Sequence, residues 1–418
     1  MSGRENSLGL SIFWGGGFQN GDGSEPRYDG ENLARRGMVA VTLNYRTNIF
    51  GFFSHPELTR ESPHRASGNY GLLDQVAALD WVKRNIAAFG GDPKRVTITG
   101  ESAGSISISV LMASPLSRTL IAGAIGESGA MFSSLPPRPL AESEENGAKF
   151  AAAAGSLAAL RKMTAEQIQE VMARGKGFRF STALDGYFLP RRLKEIFQAG
   201  EQSKIPLLAG SNSEEAGARA VLGAAEPTIA NFSEAVKRLY GERAGIVLKA
   251  YAPSRAEEVT AAATDLASDL FIAHSTWKWT ELHGKTGGKP VCRYLYAHPR
   301  PRFLGNAAGP APPPAAGPAP GAPRGAAHPA EIQYAMGNPG LDPRYAWGPE
   351  DHQVSRILQA YFVNFIRKGN PNGKGLPKWP AYQEKGGYQR MRVDGVSQAG
   401  PEPSRQRYLA LDQAAEKP

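Results

Sequence analysis

Along this chain, short runs of apolar and β-branched residues alternate with longer stretches in which apolar positions recur every three or four residues. The first pattern predicts strands and the second amphipathic helices. Strands are expected at 8–13 (LGLSIF), 38–45 (MVAVTLNY), 95–100 (RVTITG), 122–128 (AGAIGES), 205–210 (IPLLAG) and 291–296 (VCRYLY). Between the second and third, Leu73, Val76, Ala77, Leu79, Trp81, Val82 and Ile86 keep helical spacing over 70–90, where Gly90 and Gly91 stop the helix. Helical periods also mark 255–284 and 351–368. This alternation predicts a mostly parallel sheet with helices on both faces. Residues 143–202, rich in Ala, Glu and Lys, read as helices inserted over one end of that sheet as a cap. Residues 305–327 hold only Gly, Ala and Pro apart from Asn306 and Arg324, so a flexible, partly polyproline-like loop is expected there.

Composition narrows the function classes. With 41% hydrophobic and 21% charged residues in 418, the chain has ample material for a core. No apolar run is long enough for a membrane helix. The single cysteine, Cys292, excludes an internal disulfide and any cysteine-built metal site. Net charge is +9, with bases and acids interleaved and no basic arm of the kind that binds nucleic acid. The first residues, MSGRENSLGLSIFW, read poorly as a signal peptide.

The strongest chemical signal is VTITGESAGSISISVLM (96–112), where a strand runs into Gly100-Glu101-Ser102-Ala103-Gly104 and a helix follows. A sharp strand-to-helix turn with small residues on either side presents a serine at a helix N-terminus, a place that favours a developing anion. The pattern G-x-S-x-G is weak alone; the flanking strand and helix raise its weight. A second signal is SIFWGGGF (11–18), whose glycines let backbone N–H groups approach a ligand and hold an oxyanion. Gly16, Gly17 and Ala103 are the donors expected. An activated serine needs a base, and the base an orienting acid. Chain order Ser, acid, His points to the segment after 205–210, with Glu214 and Glu215, and to histidines after 291–296, where His298 and His328 compete.

The stretch from Ile12 to Phe132 resembles the type-B carboxylesterase (carboxylesterase/cholinesterase) family of α/β-hydrolases. The phrases that carry this are WGGGF, VAVTLNYRTNIFGFF, SGNYGLLDQVAALDWVKRNIAAFGGDP and VTITGESAG. Later pieces agree: LDGYFLP (184–190), IPLLAGSNSEEAG (205–217), GAAHPAEIQYAMGN (325–338) and FVNFIRKGNPNGKGLPKWPAY (362–382). The resemblance implies Ser102 as nucleophile, Glu215 as acid with Glu214 the alternative, and His328 as base, with Glu331 three residues on. It implies an oxyanion hole from Gly16, Gly17 and Ala103. Ser128 in GESGA, and Glu101, are expected to tune the hydrogen bonds around the histidine and acid without attacking substrate. Trp14 stands where relatives usually carry His or Tyr, which is expected to reshape the pocket wall. Relatives usually carry more chain before the first strand, so an unpaired sheet edge is expected here.

The expectation is thus one α/β-hydrolase domain over 7–410, with a cap-like insertion at about 143–202 and a flexible loop at 305–327. It hydrolyses carboxylic esters through an acyl-enzyme, with an ester and water as its partners and no metal or organic cofactor. Its rivals are an inactive, N-terminally truncated esterase fragment and a non-catalytic binding or adhesion protein on the same fold. The compartment is cytoplasmic if the start is genuine, secreted or periplasmic if an upstream signal was lost.

Overall fold

The computed structural model describes residues 7–175, 177–305 and 325–415. Among the described residues there are ten strands: β1 (Ser7–Phe13), β2 (Met38–Thr42), β3 (Gly91–Glu101), β4 (Gly123–Glu127), β5 (Arg138–Pro139), β6 (Ala183–Leu184), β7 (Leu207–Asn212), β8 (Val291–Tyr296), β9 (Gln389–Val393) and β10 (Gln398–Pro401). Eight of them form one sheet in the order β10-β9-β8-β7-β4-β3-β1-β2, while β5 and β6 make a small separate ribbon. From β2 to β9 every neighbour is parallel; only β10 runs antiparallel to β9. The architecture is the α/β-hydrolase fold that the alternation predicts, and the central strands β4 and β7 are buried along their whole length because both faces are covered.

The strand expected at 38–45 ends at Thr42, and β2 closes the sheet on its side, half-buried and paired only with β1 among the described residues. The helix at 70–90 forms as Tyr70–Asn85 and continues as a 3₁₀ turn, Ile86–Phe89, that Gly90 ends at φ +81°. Its buried stripe is Leu72, Gln75, Leu79, Val82 and Ile86. Trp81 and Ala77 belong to the outer face instead; Trp81 is 45% exposed and meets Phe89 there. Between β4 and β7 lie the helices Leu140–Ala153, Leu157–Leu160, Ala165–Arg174 and Leu193–Gln198. Most of the tract 305–327 lies outside the described residues.

The main core lies between the sheet and the helices Tyr70–Asn85, Ala103–Ala113, His274–Thr286 and Pro349–Lys368. A second cluster joins 221–267 to the C-terminal helix through Phe232, Val236, Val247, Leu266 and Leu411. Parallel register decides where chemistry can sit. Since β3, β4, β7 and β8 all end at one edge, their following residues are delivered to the same rim. The ladder runs one step past the strands: the Ser102 N–H donates to the Glu127 carbonyl at 2.9 Å and the Ser128 N–H to the Gly210 carbonyl at 2.8 Å.

Candidate active site

Three of the sequence-expected side chains meet at this rim. Ser102 follows β3 with φ 55° and ψ −119°, a strained conformation for a residue with a side chain. The turn closes so tightly that a Cβ on Gly104 would lie 2.0 Å from the Phe13 carbonyl oxygen, and one on Gly100 2.6 Å from the same atom. Glycine at both positions is therefore a packing requirement. The His328 Nε2 lies 3.0 Å from Ser102 Oγ, and its Nδ1 2.8 Å from Glu215 Oε2. The other oxygen of Glu215 accepts the Asn212 backbone N–H at 2.6 Å, which fixes the carboxylate at the end of β7.

The alternatives go elsewhere. His328 Nδ1 faces Glu215, while half-buried Glu214 pairs its own backbone with Ala326. His298 is held by Asp351 at 3.0 Å and Asp394 at 3.6 Å.

The glycine loop is braced from outside. The Gly15 N–H donates to Tyr28 Oη at 3.2 Å, and Tyr45 Oη donates to the Trp14 carbonyl at 3.0 Å. Trp14 is buried, stacks on Tyr45 and donates through Nε1 to the Leu43 carbonyl, so this residue anchors the loop from behind. Gly16 has φ +105°, and a Cβ there would strike the Asn20 carbonyl oxygen at 1.9 Å; Gly17 has φ +62° and faces open space. The Ala103 N–H begins the helix Ala103–Ala113 and so has no partner within it.

Electrostatics around the imidazole are dominated by buried carboxyls. Glu101 Oε1 is 3.2 Å from His328 Nε2 and is buried without a hydrogen-bond partner. Burial pushes the Glu101 carboxyl up to about 8, with Glu331 and Glu215 adding to the effect and His328 opposing it. For His328, burial favours the neutral ring, but the carboxylates of Glu101 and Glu215 outweigh it and push the imidazole up to about 9.

Ser128, expected to tune the hydrogen bonds around the histidine and acid, donates to Glu331 Oε1 at 2.9 Å; it too has positive φ, +56°. Glu331 Oε2 accepts from Asn212 Nδ2 at 2.6 Å, so Asn212 links the Glu331 pair to Glu215. Sequence reasoning missed Asn212, although its place at the end of β7 was a usable signal. It also missed Phe271, whose ring meets the His328 imidazole edge-on at 5.2 Å. Phe271 is 45% exposed and lies in a π-helical turn, Asp269–Ala273, an irregularity that periodicity does not reveal.

Comparison with known proteins decides the family. The sequence pattern of the Carboxylesterase family matches residues 9–408. The chain belongs to the carboxylesterase family. It is 33% identical over 398 residues to the fumonisin B1 esterase of Sphingopyxis macrogoltabida, covering 89% of this chain and 67% of that protein. It is 32% identical over 426 residues to carboxylesterase 1F of Mus musculus, covering 92% and 70%. Among solved structures, a PNB esterase superposes with a TM-score of 0.75 at 29% identity, covering 97% of this chain and 82% of that one. The Geobacillus stearothermophilus carboxylesterase EST55 at pH 6.2 gives 0.79 at 27% identity with the same coverage. This carboxylesterase is a carboxylic ester hydrolase, and it spans about two thirds of the length of the curated relatives it matches. No helix among its described residues is long and apolar enough to cross a membrane.

Proposed function

We propose that the carboxylesterase works through an acyl-enzyme formed on Ser102. His328 removes the hydroxyl proton as Oγ attacks the ester carbonyl, and Glu215 orients the ring and stabilises its charged form. The tetrahedral oxyanion is held by the N–H groups of Gly16, Gly17 and Ala103, each donor worth about 3 kcal/mol when well aimed. The alcohol leaves with the proton from His328. Water then attacks the acyl group with His328 again as base, and acid is released. Glu101 and the Ser128–Glu331–Asn212 group hold the surroundings of the imidazole in place. Residues 7–410 act as a single hydrolase domain, with 143–202 inserted over the rim.

The observation that carries this reading is the chain of contacts Ser102–His328–Glu215, at 3.0 and 2.8 Å, on a serine held at positive φ. Stopped-flow hydrolysis of 4-nitrophenyl acetate tests it. A burst of nitrophenol equal to the enzyme concentration is expected from the wild type and none from Ser102→Ala. Equal steady-state rates in the two proteins would overturn it.

A further inference from the structure

A cavity of about 470 Å³ lies beside the glycine loop, with Gly17 and Gln19 in its wall. That volume falls in the range of small-molecule sites. Its remaining wall comes from two distant stretches, 135–142 and 179–192, and each brings guanidinium groups: Arg138, Arg179 and Arg192. Against them stands one carboxylate, Glu142, and the three arginines have no acidic side chain within ion-pair distance among the described residues. Neighbouring Arg191, by contrast, closes on Glu201.

The stretches are tied together, so the convergence is built into the fold. The Arg138 N–H donates to the Thr182 carbonyl at 3.0 Å, and β5 pairs with β6 just beyond. Gln19 Nε2 donates to the Phe180 carbonyl at 3.1 Å, joining the glycine loop to the same wall. Phe180 itself is buried against Phe53 and Phe150. Leu135, also in the wall, holds φ +47°, a strained value for leucine. The helix Leu140–Ala153 starts here with no side chain capping it, so its N-terminal field adds to the positive charge.

We propose that this cavity is a subsite for the part of the ester remote from the scissile carbonyl, and that it selects esters carrying a free carboxylate. The inference rests on the esterase reading of Ser102 and names its substrate class. Guanidinium forks match carboxylates in shape as well as charge. Gly17, a proposed oxyanion donor, also stands in the cavity wall, so an ester held at that donor has the cavity beside it.

Two matched pairs of substrates test this. 4-Nitrophenyl hemiglutarate against 4-nitrophenyl butyrate puts the charge on the acyl side; 3-carboxyphenyl butyrate against phenyl butyrate puts it on the alcohol side. In one pair the anionic ester is expected to have a kcat/KM about tenfold above its neutral partner, a preference that shrinks with added salt. In an R138Q/R179Q/R192Q variant that ratio falls to about one, while Arg238→Gln, a remote surface change, keeps it. A ratio at or below one in both wild-type pairs, or one that survives the triple variant, overturns the proposal. If the wild type hydrolyses none of the four esters, the esterase reading is what fails. Calorimetric binding of glutarate then decides the subsite: loss of binding in the triple variant supports it, and no binding to the wild type overturns it.

Discussion

The sharpest consequence of the buried carboxyls concerns pH, and Glu101→Gln exposes it. In the wild type the His328 imidazole is pushed up to about 9, against an ordinary value of 6.5. Burial works downward, and the Glu101 and Glu215 carboxylates work upward. Glu101 lies only 3.2 Å from the nitrogen proposed to accept the serine proton, and its charge is the largest single upward cause. Glutamine keeps the shape and removes the charge. Burial is then left against Glu215 and Glu331, and the imidazole should return toward its ordinary value, by about one to two pH units. A base is active when unprotonated, so the acidic limb of kcat/KM must move to lower pH in the variant. The assay is kcat/KM for a neutral nitrophenyl ester from pH 5 to 10, followed at the isosbestic wavelength of nitrophenol. An acidic limb that stays in place, or moves upward, would refute the electrostatic argument.

Other consequences can be checked separately. Glu215→Gln keeps a side chain of the same size but removes the negative charge opposite the imidazolium; kcat should fall by about 10³-fold or more with the fold intact by circular dichroism. Gly16→Ala brings a methyl group to 1.9 Å from the Asn20 carbonyl oxygen, so the loop must move and kcat should drop by about a hundredfold or more. Glu402 is buried between Arg293 at 2.5 Å and Arg390 at 2.6 Å; burial pushes its carboxyl up, but the two guanidinium groups outweigh this and hold it below the ordinary range. Glu402→Gln leaves both arginines short of a counter-charge and should destabilise the fold by about 3–5 kcal/mol in urea titrations at pH 7. Because the wild-type carboxyl is depressed, its contribution is present above about pH 4.5 and lost as pH falls through the folded value, so the two proteins should converge in acid.

Much of this was legible in the sequence where the physics is local. Six strands, among them the four that deliver the rim, announce themselves as apolar runs, and the turn at Ser102 as a serine between glycines that the Phe13 carbonyl forbids from carrying a Cβ. The final pair, β9 and β10, was not legible. Arg390 and Arg392 make β9 look like surface chain, yet Arg390 is buried because Glu402, twelve residues later, neutralises it. Arg293 hides in β8 for the same reason. Choosing between His298 and His328 needed tertiary information or family resemblance, since both follow β8 and only the acids around them differ. The arginines of the cavity are scattered over 138–192, and nothing in their spacing says that the β5–β6 ribbon gathers them.

The central claim is that Ser102 is the nucleophile, and covalent trapping tests it most directly. After incubation with diethyl 4-nitrophenyl phosphate, intact-protein and peptide mass spectrometry should find one diethylphosphoryl group per chain, on the peptide carrying Ser102, with activity lost in proportion. A group found on another residue with equal loss of activity, or full activity retained by the labelled protein, would contradict it.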